Sequence, residues 1–219
     1  MKNIKLIKAL IGIFLLLCLT VPSNPANAAN GSTLPSFTEF VGQVFNGQPD
    51  VIRGVYVAGV LALQVVQQPV NDPGKVIAEQ GVATQFRAAS ENKNIGLLAH
   101  NNLAGAVFSK LKVGQEVGII YGNGRVDYFI VNHLASYQAL QPDSQTGDFV
   151  DQESNLTYSA GQIFNMFYTG AEHVTFQTCI LKDGIASWGR LFVTAIPYFS
   201  VDFRGFRALR FDLGWSTVQ

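Results

Sequence analysis

Cys179 lies in the run His173-Val174-Thr175-Phe176-Gln177-Thr178-Cys179-Ile180, whose alternation reads as a β-strand. On that pleat His173, Thr175, Gln177 and Cys179 share one face, and Val174, Phe176, Thr178 and Ile180 share the other. The cysteine therefore sits on the more polar face, which favours a thiol with a role over a purely structural one. Residues 185–196 read as the next strand, joined around Lys182-Asp183-Gly184. A two-residue turn at Asp183-Gly184 would set Cys179 opposite Trp188 and Gln177 opposite Arg190. Arg190 would then lie diagonal to Cys179. A guanidinium near a thiol favours the thiolate, and it can stabilise an oxyanion forming on a carbonyl under attack.

Such a nucleophile needs an acid–base partner, and histidine is the usual one. The chain has three. His100 ends the apolar run 95–99 and precedes Asn101-Asn102, a place suited to the rim of a site. His133 ends another strand. His173 is six residues from Cys179, roughly 20 Å at strand rise, too far for proton transfer. His100 is the candidate, against the ordinary reading of a lone histidine as a structural one. No pair of histidines has close ligand spacing, and the cysteines are too few for a zinc cluster. Asp143, Asp148, Asp151 and Glu153 crowd one segment without a calcium-loop pattern, and read as a solvated acidic loop. The glycines around Asn123 lack the Lys-Ser/Thr of a phosphate loop, and there is no G-x-S-x-G elbow. Neither metal nor cofactor is expected.

These residues fall into a known order. Thr175-Phe176-Gln177-Thr178-Cys179 is similar to the T-L-x-T-C motif of sortases, with Phe in place of Leu. Arg190 follows eleven residues on, and His100 precedes by seventy-nine. Gly96-Leu97-Leu98-Ala99-His100-Asn101 resembles the sortase segment that ends in the catalytic histidine. Phe108-x-x-Leu111-x-x-Gly114-x-x-Val117 resembles the stretch that follows it. The resemblance spans roughly residues 50–197. It implies a mainly β fold, a closed barrel of about eight strands with a few short helices, and a cysteine transpeptidase. Cys179 would attack a peptide carbonyl and form a thioester. His100 would shuttle the proton, and Arg190 would hold the oxyanion or the substrate. Gln177, Thr178 and Trp188 are the expected substrate contacts. The implied partners are exported proteins with a C-terminal LPxTG-like signal, and an amine acceptor on cell wall or pilin. Two other readings stand beside this one: a secreted β-barrel binding module with an incidental thiol, and a sortase-fold peptidase that mainly hydrolyses. An L,D-transpeptidase fits less well, since Thr178 and Leu181 stand where its S-x-G-C-x-R pattern has Gly and Arg.

The remaining sequence sets the frame for this site. Lys2, Lys5 and Lys8, the uncharged run 9–21 and Ala26-Asn27-Ala28 read as a signal peptide over 1–28, or as an N-terminal anchor. Its removal would leave 191 residues with twelve basic and fifteen acidic side chains, a net charge of −3, and one of the two cysteines. The protein is expected outside the cytoplasm, secreted or held at the outer face of the membrane. At 48% hydrophobic and 14% charged, the chain is neither disordered nor basic enough to suggest nucleic acid. Ser36-x-x-Glu39 with Phe37, Phe40, Val41 and Val44 predicts a capped amphipathic helix within a lead-in over 29–50. Residues 51–66 predict one strand, or two bent at Gly59. Residues 103–111 predict a helical turn or two, and Gly122-Asn123-Gly124-Arg125 a hairpin between 117–121 and 126–131. A long loop is expected over 137–155, and a helix over 159–168 closed by Gly170. The tail 198–219 carries Arg204, Arg207 and Arg210 among Phe199, Phe203, Phe206 and Phe211. It reads as an extra element covering the barrel, with membrane-surface contact as the sharper alternative.

Overall fold

The computed structural model describes residues 34–198 apart from Gln145; the expected leader and the Arg/Phe-rich tail beyond Tyr198 lie outside the described residues. Helix α1 (Phe37–Val44) starts at Ser36, whose hydroxyl accepts from the Glu39 N–H while the Glu39 carboxylate accepts from the Ser36 N–H. This reciprocal cap satisfies two donors that a helix start otherwise leaves open. Its apolar side, Phe40 and Val44, is buried against Ile120. Among the described residues no helix is long and apolar enough to cross a membrane.

Strands β1 (Ile52–Val57) and β2 (Leu61–Gln67) form a hairpin, with Gly59 in the left-handed region at φ +71°. β3 (Val82–Phe86) runs parallel to β2 and leads directly into the short helix α2 (Arg87–Glu91). β4 (Ile95–Leu98) pairs antiparallel with β3, and a 3₁₀ helix follows at Ala104–Lys110. β5 (Glu116–Tyr121) and β6 (Val126–Ala139) form the hairpin expected around Asn123-Gly124. Two short strands, β7 (Phe149–Asp151) and β8 (Thr157–Tyr158), extend from β6 and precede α3 (Ala160–Tyr168). β9 (Val174–Lys182) pairs parallel with β4, and β10 (Ile185–Pro197) pairs antiparallel with both β9 and β6. The β10–β6 pairing closes eight strands, in the order β10-β9-β4-β3-β2-β1-β5-β6, into a barrel of mixed strand direction. This is the mainly β, eight-stranded closed barrel anticipated from the sequence.

Two apolar layers follow from the pleat. Val55, Leu63, Leu97, Phe108, Val131, Val174, Phe176 and Val193 fill the barrel. Leu98, Tyr137, Phe149, Phe164, Phe167, Tyr168 and Phe192 form a second core outside it, under α3. Alternate residues of β4, β9 and β10 thus face two different interiors. That explains why these strands are buried on both sides.

Three expectations are corrected. The segment 137–155 is not one loop: β6 continues to Ala139 because Tyr137 and Ala139 join the outer core, and β7 pairs with it. β3 and α2, absent from the sequence reading, occupy 82–91; their apolar positions are too sparse to show a period. The β9–β10 register also differs. Ile185 pairs with Lys182 as a two-residue turn requires, but two extra residues then enter β10 before Gly189 meets Ile180. Cys179 therefore pairs with Arg190 rather than Trp188, and Gln177 with Phe192 rather than Arg190.

Close approach in the outer core fixes one glycine. A Cβ on Gly96 would lie about 3.0 Å from Tyr168 and Ala89, and 2.9 Å from Phe86. Gly96→Ala should destabilise the protein by about 1–3 kcal/mol through overpacking. Gly42→Ala, in α1 with open space around it, should be neutral or stabilise by up to ~1 kcal/mol. Urea unfolding of both variants checks the contrast, which equal shifts would contradict.

Candidate active site

Neighbouring strands β9 and β10 bring two of the chemistry-bearing residues together. Arg190 on β10 is the direct partner of Cys179 on β9, so their side chains emerge on one face. On the other edge of β9, Leu98 of β4 pairs with Gln177, and the Ala99 N–H continues the ladder to the Gln177 carbonyl at 3.2 Å. The Thr178 hydroxyl donates to the Ala99 carbonyl at 2.9 Å, locking that step. His100 follows Ala99, just beyond the end of β4. With strands about 5 Å apart, Arg190 lies directly beside the cysteine. Cys179 and Arg190 follow the parity of Gln177 and Phe192. They therefore belong to the outer face, at the margin of the layer under α3, and not to the barrel interior.

His100 is held by its loop. Its carbonyl accepts from the Leu103 and Gly105 N–H groups at 3.0 and 2.9 Å. Gly105 is needed there, because a Cβ would run into the Thr178 hydroxyl and the Ala99 and His100 carbonyls. Partial burial lowers the His100 pKa, and a hydrogen bond to the Val76 carbonyl opposes this in part. The ring is thus neutral at neutral pH, able to take a proton from a thiol. Asn101, which the sequence reading passed over as rim polarity, donates its side-chain amide to the Ala186 carbonyl at 3.1 Å. That bond ties the histidine loop to the bulged part of β10, eighty-five residues away.

Arg190 is buried, with 1% of its surface exposed. Its Nη1 donates to the Ser187 and Gly189 carbonyls at 3.1 and 3.0 Å, inside the bulge that moved the register. Its guanidinium carbon lies 5.9 Å from the centre of the Phe149 ring. Burial lowers its pKa to about 10, so it remains a cation at neutral pH. Cys179 is 7% exposed and is disulfide-bonded in this structure. Nucleophilic chemistry at Sγ therefore requires the bond to be reduced.

The three expected substrate contacts have distinct surroundings. Thr178 points to the barrel side and is buried, its hydroxyl occupied by Ala99. Gln177 is buried on the outer face, where its Oε1 accepts from the Tyr168 hydroxyl at 2.7 Å. Trp188 is half-buried in the β10 bulge, with the Lys182 ammonium 4.4 Å from its ring centre. Of the other histidines, His133 is exposed opposite Thr194, and the His173 ring bonds the Ala171 and Phe167 carbonyls at the far end of β9. Among the described residues no cluster of His, Cys, Asp and Glu is arranged to hold a metal.

No family model matches the chain, and no curated protein matches it. Solved structures of sortases are similar to it. Sortase C-1 from Actinomyces oris is 12% identical, covering 91% of this chain and 100% of that one, with a TM-score of 0.47. Sortase C1 from Streptococcus suis is 14% identical over 90% and 98%, with a TM-score of 0.45. Listeria monocytogenes sortase A is 14% identical over 68% and 89%, with a TM-score of 0.43.

The lowered His100 pKa has a consequence for stability. The unfolded chain takes up this proton near the ordinary histidine value of 6.5, and the folded chain only below it. As pH falls through 6.5, this group therefore withdraws stability from the folded state. His100→Gln should gain melting temperature relative to the parent between pH 7.5 and pH 5.5. An unchanged difference between the two proteins would contradict this.

Proposed function

We propose that this chain is an exported sortase-like cysteine transpeptidase, acting on an LPxTG-like signal in exported proteins. One observation supports the proposal: Cys179 and Arg190 are direct partners across β9 and β10, and His100 follows closely on β4, the strand paired with the other edge of β9; histidine, cysteine and arginine are the combination that acyl transfer through a thioester needs. The motif resemblance of Thr175–Cys179 supports the same reading.

The chemistry follows from the arrangement once Cys179 is a thiol. Neutral His100 takes the thiol proton, and the neighbouring Arg190 cation favours the resulting thiolate. The Sγ electron pair bonds to the peptide carbonyl carbon, and the oxygen charge that develops is stabilised by the Arg190 guanidinium. The C–N bond then breaks, and the His100 imidazolium gives its proton to the leaving amine. The acyl group is now held as a thioester. An incoming amine attacks it, His100 removes that amine's proton, and the C–S bond breaks to release the new amide. Water in place of the amine gives hydrolysis by the same route. Substrate and acceptor are met outside the cytoplasm, as the leader expected over 1–28 requires.

The test uses the full chain, reduced, with a Leu-Pro-Ala-Thr-Gly peptide. Intact mass should gain the acyl fragment on the parent protein. Cys179→Ala, a small change at an edge of the outer layer, should melt like the parent and gain nothing. Equal product formation by the variant would overturn the proposal.

A further inference from the structure

Gln177 is the last outer-face residue of β9 before Cys179, and it is buried with 3% exposure. Its Oε1 is fixed by the Tyr168 hydroxyl at 2.7 Å, a bond between two buried groups. Among the described residues this is the one side-chain hydrogen bond of Gln177. A carboxamide with its oxygen committed has its two N–H donors turned the other way. The direction can be read from Tyr168. Its ring edge packs on Gly96, where an added Cβ would meet Cε1 at 3.0 Å, and Gly96 is the partner of Thr175. The preceding residue, Phe167, accepts at its carbonyl from the Thr175 hydroxyl at 2.7 Å. Tyr168 therefore approaches Gln177 from the Thr175 end of β9. The amide nitrogen faces the opposite end, where Cys179 stands about 7 Å further along the same face. A glutamine side chain spans most of that gap.

We propose that Tyr168 is a positioning residue that aligns Gln177, and that the Gln177 Nε2–H donates to a carbonyl oxygen in the acyl part of the peptide substrate, beside the carbon that Cys179 attacks. This rests on the transpeptidase reading and deepens it. The peptide class selected is one whose acyl residues lie extended along β9 with a carbonyl turned toward Gln177.

The test is a double-mutant cycle on the full chain carrying Cys179→Ala, in which the Leu-Pro-Ala-Thr-Gly peptide binds without reacting. Gln177→Leu should weaken binding about tenfold, the size of one hydrogen bond to a buried partner. Gln177→Glu keeps an acceptor for Tyr168 but offers no donor, and should weaken binding as much. Tyr168→Phe should weaken binding with Gln177 present and add less than about twofold once Gln177 is leucine. A merely structural tyrosine would instead lower affinity and melting temperature equally in both backgrounds, and that result overturns the proposal. Binding by Gln177→Leu within twofold of the parent, or no binding by the parent, overturns it as well. Gln177-dependent binding without any acyl adduct on the Cys179-containing chain would sink the transpeptidase reading and leave this one standing.

Discussion

The structure turns on the parallel contact between β4 and β9. Sequence-distant strands, 95–98 and 174–182, are held in one register by the Leu98–Gln177 pair and by the Thr178 hydroxyl on the Ala99 carbonyl. A shift of one residue would move every side chain of β9 to the opposite layer. Cys179 would then face the barrel interior, and Gln177 would lose Tyr168. The threonine before the cysteine is thus a register pin, which accounts for its type better than direct contact with a substrate does.

The two-layer core makes such a pin necessary. In a strand with one wet face, the apolar side alone specifies the register. β9 is buried on both sides as far as Cys179, so apolar content says little about which way each residue points. Polar groups supply the missing information: Thr175 bonds Phe167, Gln177 bonds Tyr168 and Thr178 bonds Ala99. Each is buried and held by one such bond, so a slipped register would leave several polar groups without partners at about 1–3 kcal/mol each. On the other edge, the β10 bulge draws in Arg190. The carbonyls it frees at Ser187 and Gly189 hold the guanidinium, and Asn101 joins the same bulge to the histidine loop.

Much of this was legible in the residues, for physical reasons that can be named. The Ser36–Glu39 cap, the Asn123-Gly124 turn and the alternation around Cys179 are local, and local signals survive in sequence. The faces assigned to Gln177, Thr178 and Cys179 agree with the structure. The partner opposite Cys179 did not follow, because a bulge two residues long leaves no mark in Ile185-Ala186-Ser187-Trp188. Tyr168 and Asn101 were missed for a different reason. Their importance lies in contacts made across the fold, and a tyrosine at a helix end or a second asparagine in a turn has no pattern of its own. β3 and β7 were missed because strands of three to five residues fall below the length at which periodicity can be read.

The central proposal is that His100, just beyond β4, acts on Cys179 of β9 as its neighbour. It is tested most directly by the rate at which iodoacetamide alkylates reduced Cys179 at neutral pH, in the parent chain and in His100→Gln, with melting curves to confirm that both are folded. Adjacency predicts that the parent reacts at least about tenfold faster than the variant, because only the parent has a base beside the thiol. Equal rates in two folded proteins would contradict it.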